Sequence, residues 1–166
     1  MAAIDIGQGA TDRANTGGEG YTVLGIGNPA NDTGTITSFQ FWYNTAGAGV
    51  KVGTFYGTGT SQTSRDVETI GNVVAGSVQT FSGLNIDVST NDLAGVYTAT
   101  GELEYSNSGA DGTYYKTGDQ FGAGAQTYSK NDVGGVSIYG TGATASGLSI
   151  PIARHVRSLS PNFHVY

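Results

Sequence analysis

Glu102 and Glu104 are the residues whose type and spacing come nearest to a catalytic pattern. Side chains two apart on a strand leave the same face, so the two carboxylates would stand side by side. A pair of carboxyl groups about 5–5.5 Å apart is the arrangement of a retaining glycosidase, and some sandwich-fold glycosidases resemble this pattern. An edge strand guarded by charge has the same spacing. No further acid lies in local register, so the pair is read as the edge strand. Gly25-Ile26-Gly27-Asn28-Pro29-Ala30 matches GxGxxA, a variant of the dinucleotide fingerprint. That motif works only where a helix N-terminus follows to receive the pyrophosphate. Here NDTGTITSFQFWY follows, a turn and then a strand, so the motif is read as a turn. The two histidines, His155 and His164, lie near the end of the chain and no GxSxG elbow accompanies them, so a Ser-His-Asp hydrolase is not expected. The chain is expected not to be an enzyme.

Two groups of oxygen-bearing residues could hold a calcium ion between loops: Asp87, Asn91 and Asp92, or Asn107, Asp111 and Asp119. Asx residues in turns mostly bond their own backbone, so no cofactor is expected, with calcium the one exception kept open. Trp42, Tyr43, Tyr114 and Tyr115 cannot all face one core. Aromatic rings left outside a sheet stack on sugars or sit in protein interfaces, which makes Trp42, Tyr114 and Tyr115 candidate glycan-stacking residues. Asn31-Asp32-Thr33 is a formal glycosylation sequon, set aside because no signal peptide accompanies it.

The elements that must position these residues are strands. In 84–89, Leu84, Ile86 and Val88 alternate with Asn85, Asp87 and Ser89, the period of a half-buried strand. The polar cluster 89–92 reads as a turn, 93–98 as a second strand and 102–105 as a third, together a meander. Earlier in the chain, 3–6 and 21–26 read as strands around a polar loop at 11–20. Residues 35–43 put Phe39, Phe41 and Tyr43 on one face, with Ser38, Gln40 and Trp42 on the other. An Ala/Gly turn and a strand over 50–56 would complete a hairpin. A polar loop at 57–65, strands at 66–74, 113–116 and 136–139, and an unassigned stretch at 118–135 complete the body. About nine or ten short strands with turn signals about every 8–12 residues predict an all-β protein, an antiparallel β-sandwich of jelly-roll type.

Composition narrows the function. The chain has 166 residues, no cysteine, 28 glycines, ten tyrosines and six phenylalanines, and only 12% of it is charged. One domain is expected, with a core that needs no staples. The net charge of −6 disfavours binding to a phosphate backbone, so no nucleic acid is expected. No apolar run approaches the roughly 18 residues of a membrane helix, and the start, MAAIDIGQGATDR, has neither a basic nor an apolar signal region. The run NPANDTGTITSFQFWYNTAGAGVKVGTFYG, followed by RDVETIGNVVAGSVQTFSGLNIDVSTNDLAGVY, resembles a β-sandwich domain of predicted phage virion and tail-associated proteins. It is similar also to domains of microbial surface proteins, and the likeness covers 3–140. The resemblance implies a structural or adhesive role in the virion, after synthesis in the host cytoplasm.

The last 26 residues differ in kind. Residues 141–147 (TGATASG) read as a flexible linker between the sandwich at 1–140 and a C-terminal arm at 148–166. All thirteen acids lie at or before Asp132, whereas the arm carries Arg154 and Arg157 and no acid. Its apolar residues Ile150, Ile152, Val156, Leu159 and Phe163 are too few to fold alone. With the two arginines they are the expected partner-binding set, docking on a copy of the chain or on another virion protein. The expectation from sequence is therefore a non-enzymatic structural protein of a phage particle, a capsid decoration, cement or fibre-type subunit. The alternative is a carbohydrate-binding or adhesin module using its exposed aromatics.

Overall fold

A computed structural model describes residues 3–109, 111–132 and 134–144. It is all-β and antiparallel, with no helix among the described residues, and has thirteen strands rather than nine or ten. The strands are β1 (Ala3–Gln8), β2 (Asn15–Gly17), β3 (Tyr21–Gly25), β4 (Gly34–Thr58), β5 (Ser61–Val73), β6 (Val78–Val88), β7 (Leu93–Thr98), β8 (Thr100–Ser106), β9 (Thr113–Thr117), β10 (Gln126–Thr127), β11 (Ser129–Asn131), β12 (Gly135–Val136) and β13 (Ile138–Thr144). The arm at 148–166, with Ile150, Ile152, Arg154, Val156, Arg157, Leu159 and Phe163, lies outside the described residues. So do His155 and His164.

The organising element is β4, 25 residues long. Its first third pairs with β13 on one side and β6 on the other, and β1 adds beyond β13, which makes a first sheet. Its middle pairs with β8, which also takes β2 and β12, a second sheet. Its last third pairs with β5 and β7, and β7 continues through β3 to β9, a third sheet. A strand that bends from one sheet into the next makes a corner. The expected hairpin between 35–43 and 50–56 is therefore not a hairpin: residues 44–49 remain part of β4. The Ala/Gly run that signals a turn serves here to let two strands come close. Gly101 of β8, at φ +99°, has no room for a Cβ, which would meet the Ala46 carbonyl and sit 2.7 Å from Gly47 Cα. Gly49, at φ +62°, takes up the bend. The true hairpin is β4–β5, closed by the turn at Gly59-Thr60, so the expected polar loop at 57–65 is mostly strand.

The meander expected of β6, β7 and β8 is also not formed. Each of the three pairs with β4, one in each sheet, and none pairs with another. Residues 141–144, expected as the start of a linker, extend β13: 141–143 pair with both β1 and β4, and Thr144 with β4. Backbone groups in that position gain ladder hydrogen bonds on two sides, which outweighs the flexibility of a Gly/Ala/Thr sequence.

The inner faces of the sheets share one core. Ile4, Ile6, Phe39, Phe41, Ile86 and Ile138 from the first sheet meet Val50, Val52 and Val96 from the third and Leu103 from the second. A second cluster, Leu24, Phe55, Leu93, Tyr114 and Tyr128, fills the far side of the third sheet. One short segment closes over it: β10 pairs with β5, β11 pairs with β9, and the Tyr128 N–H between them donates to the Thr60 carbonyl. This ties the two margins of the third sheet together and shields edges that would otherwise be open.

Two buried tyrosines make stability depend on alkaline pH. The Tyr43 hydroxyl shares a 2.6 Å hydrogen bond with the Thr98 hydroxyl, whereas the Tyr128 hydroxyl is buried with no partner. Burial raises the pKa of both phenols above the ordinary value of 10.0. The folded protein thus keeps these protons to higher pH than the unfolded chain does. The stability this confers is complete below about pH 10 and declines above it, by up to about 1.4 kcal/mol per pH unit for each tyrosine. Denaturant melts at pH 9 and pH 11 are expected to show the decline, and Tyr128→Phe to reduce it. At neutral pH Tyr128→Phe removes an unpaired buried hydroxyl and is expected to raise stability by about 1 kcal/mol.

Candidate functional site

The structure gives the catalytic and metal candidates structural tasks. Glu104 is 1% exposed, and its carboxylate accepts the Arg13 backbone N–H at 3.1 Å. Glu102 accepts the Thr16 hydroxyl at 2.9 Å. The two acids do share a face, and 13–16 lies over it, with Arg13 donating in turn to Ser137 Oγ and the Gly9 carbonyl. Burial lowers the Arg13 pKa, partly countered by Asp111. The pair fastens β2 and the residues just ahead of it onto β8, which is not the expected charge-guarded edge strand because β4 and β2 pair with it on either side. In the GxGxxA stretch no helix follows. Asn28, at φ +53°, accepts the Gly7 N–H on its carbonyl, which makes the stretch a turn packed on β1.

The calcium candidates are drawn into other partnerships. Asp92, 2% exposed, is held by the Arg65 guanidinium through both oxygens, and Asp119 pairs with Lys51 at 2.5 Å. Asp111 accepts from Gln8 at 2.6 Å. Among the described residues no three acidic or histidine side chains gather.

The aromatic candidates separate. Tyr114 and Tyr115 are neighbours on β9 and point to opposite faces. Tyr114 is 8% exposed and belongs to the core under β10 and β11, so it offers no stacking face, contrary to expectation. Tyr115 is 40% exposed. Trp42 is half-buried on the outer face of the first sheet.

Tyr115 is part of a cleft of about 400 Å³ between the second and third sheets. Its floor is apolar and firm: Leu103 and Val136 are 3% and 1% exposed, and Val23 packs on the main core. Three tyrosines ring it, each from a different strand: Tyr21 on β3, Tyr105 on β8 and Tyr115 on β9. Tyr21 is 39% exposed, and its ring meets that of Tyr115 edge-on, with centroids 6.3 Å apart and planes at 63°. Gly17 lies against the Tyr105 ring, where a Cβ would come within 3.3 Å, and this keeps the ring set back along the wall. None of the three hydroxyls is hydrogen-bonded within the described residues. Lys130 and Asn107 stand at the rim, and the Lys130 ammonium is neutralised by Asp132 at 2.5 Å, which also raises its pKa. Neither Glu102 nor Glu104 lines the cleft.

No protein-family model and no curated protein matches the chain. Of the cleft residues, the sequence singled out Tyr115, for stacking, and Asn107, as a calcium ligand. Tyr21, Tyr105 and Lys130 are spread over more than a hundred positions and meet only because β3, β8 and β11 are brought together, an arrangement for which the chain carries no local signal.

Proposed function

We propose that this protein is a non-enzymatic recognition module that binds carbohydrate in the cleft between the second and third sheets. The observation that carries the reading is the Tyr21–Tyr105–Tyr115 wall over an apolar floor. Sugar rings present C–H faces that stack on aromatic rings, together with hydroxyls that need both donors and acceptors. A tyrosine supplies a flat ring and a hydroxyl that serves as either, with only two side-chain torsions to order on binding. The volume lies in the range of small-ligand sites. The tyrosines stand on strands rather than on long loops, so the geometry exists before the ligand arrives.

The expected result is saturable binding of at least one oligosaccharide from a panel of neutral and acidic glycans, measured by calorimetry. Tyr115→Ala and Tyr21→Ala should each weaken it at least about tenfold, and the double variant should abolish it. Tyr56→Ala, at an equally exposed tyrosine outside the cleft, should leave it unchanged. Failure of the whole panel, or binding indifferent to Tyr115→Ala, overturns the reading.

A second reading, a subunit of a phage particle held by contacts among copies and with other virion proteins, rests on the resemblance and on one feature of the fold. That feature is the first sheet, where β6, β13 and the first third of β4 carry a single charged residue, Asp87 at the end of β6.

A further inference from the structure

The two margins of the first sheet are treated differently. At β1 the margin is capped by the turn at 28–31: Asn31 Oδ1 accepts the Asp5 N–H at 3.0 Å, the Asp5 carbonyl accepts the Asn31 N–H, and the Asn28 carbonyl accepts the Gly7 N–H at 2.8 Å. At β6 one side is paired with β4, and the other side has no strand partner among the described residues. β5 lies near β6 without pairing to it. At the far end the Asp87 N–H donates to Asp66 Oδ2 at 2.8 Å, and at the near end the Val78 carbonyl accepts the Gln79 side chain at 3.4 Å. The ladder with β4 is regular over 78–82 and breaks beyond Ser82. Those five residues therefore present an undistorted row of outward N–H and C=O groups.

Open edges in soluble proteins are ordinarily guarded by charge, proline or a bulge. This one has none of these over 78–82, and no charged residue lies anywhere between Glu68 and Asp87. For a chain of net charge −6 that is the kind of surface on which two copies can meet without like-charge repulsion. Two of the five side chains are apolar and incompletely covered, and the other three are uncharged: Val78 is 40% exposed, and Phe81, whose ring lies 5.9 Å from that of Phe41, is only partly buried.

We infer that β6 is a self-association edge, on which a second copy of this chain pairs its own β6 antiparallel about a twofold axis at Thr80. Val78 then faces Ser82 of the second copy, the two Thr80 residues face each other, and the first sheet runs continuously through both molecules. Pairing satisfies the outward backbone groups and completes the cover over both Phe81 rings. Such an edge contact is smaller than a standard protein interface, so the dimer forms at high micromolar concentration rather than nanomolar. The inference is independent of the glycan cleft, which lies between the other two sheets.

Sedimentation of the full chain from about 5 μM to 1 mM should show mass rising toward twice the monomer. Thr80→Lys, at an exposed position, sets two like charges opposite each other across the axis and should return the protein to monomer, with its circular dichroism unchanged. The chain has no cysteine, so Thr80→Cys gives a clean second readout. Directly opposed residues of an antiparallel pair have Cα atoms about 4.5–5.5 Å apart, within reach of a disulfide. Mild oxidation should cross-link Thr80→Cys, whereas Thr58→Cys, exposed on the β4–β5 hairpin, should remain uncross-linked. A monomer at 1 mM with no more cross-linking at position 80 than at 58 overturns the inference. So does a dimer that survives Thr80→Lys, which would place the contact on another surface.

Discussion

Phe41→Ala is expected to destabilise the protein by about 3–5 kcal/mol, the range for a buried phenylalanine whose site cannot collapse. For a chain of this size that lowers Tm by roughly 6–20 °C. Phe41 is fully buried at the centre of an aromatic row. Its ring lies 6.2 Å from that of Phe39, 6.3 Å from Tyr43 and 5.9 Å from Phe81. The site is rigid because β4 is paired on both sides at this point, with Ile138 across one ladder and Gln79 across the other. Backbone held in two ladders moves little toward a void, so most of the lost contact stays lost. Phe41→Leu keeps most of the volume and should cost no more than about 1.5 kcal/mol. Equilibrium denaturation of both variants checks the pair. A cost below about 1 kcal/mol for the alanine variant would mean that the ring is not central to the core.

Arg65→Ala is expected to cost about 2–3 kcal/mol. It leaves the Asp92 carboxylate, 2% exposed, with the Ser89 N–H at 2.8 Å as its remaining side-chain hydrogen bond. Breaking a fully buried ion pair costs about 3–5 kcal/mol. The figure is lower here because the Arg65 side chain is 31% exposed and water can reach the vacated place. Part of the loss is contact between the guanidinium and the Tyr56 ring, 4.8 Å away. Arg65→Lys keeps the charge without the planar fork that binds both carboxylate oxygens, so it should recover only part of the stability. The effect should also travel. Asp92 closes the turn at 89–92, and the backbone of that turn bonds Ala30 on both sides, through the Ala30 N–H and the Ala30 carbonyl. Hydrogen exchange in Arg65→Ala should therefore speed up at 89–92 and at 28–31 before the rest of the sheet opens.

In the candidate site the sequence was informative one strand at a time. It showed that Trp42, Tyr43, Tyr114 and Tyr115 cannot all face one core, and it offered both Tyr114 and Tyr115 for stacking, although neighbours on a strand alternate. It could not show which of the two is covered, since that depends on Tyr128 and Phe55 arriving from elsewhere to bury Tyr114. The paired glutamates were read correctly as sharing a face. Their burial under 13–16 had no signal, because Arg13 and Thr16 sit in a polar Gly-rich stretch indistinguishable by composition from a solvated loop.

What the sequence determined by itself was the class of the fold and the inward faces of its long strands. The alternation Phe39-Phe41-Tyr43 against Ser38-Gln40-Trp42, and Leu84-Ile86-Val88 against its polar neighbours, is a local property of extended backbone and holds whatever the strands pair with. What only the tertiary structure decided was pairing: that 44–49 continues β4 instead of turning, that β6, β7 and β8 each pair with it rather than with one another, and that Tyr21, Tyr105 and Tyr115 converge. Alanine and glycine at 46–49 satisfy a turn and a close strand crossing equally well, and the choice lies with Gly101 of β8, more than fifty residues away, whose missing side chain makes the room.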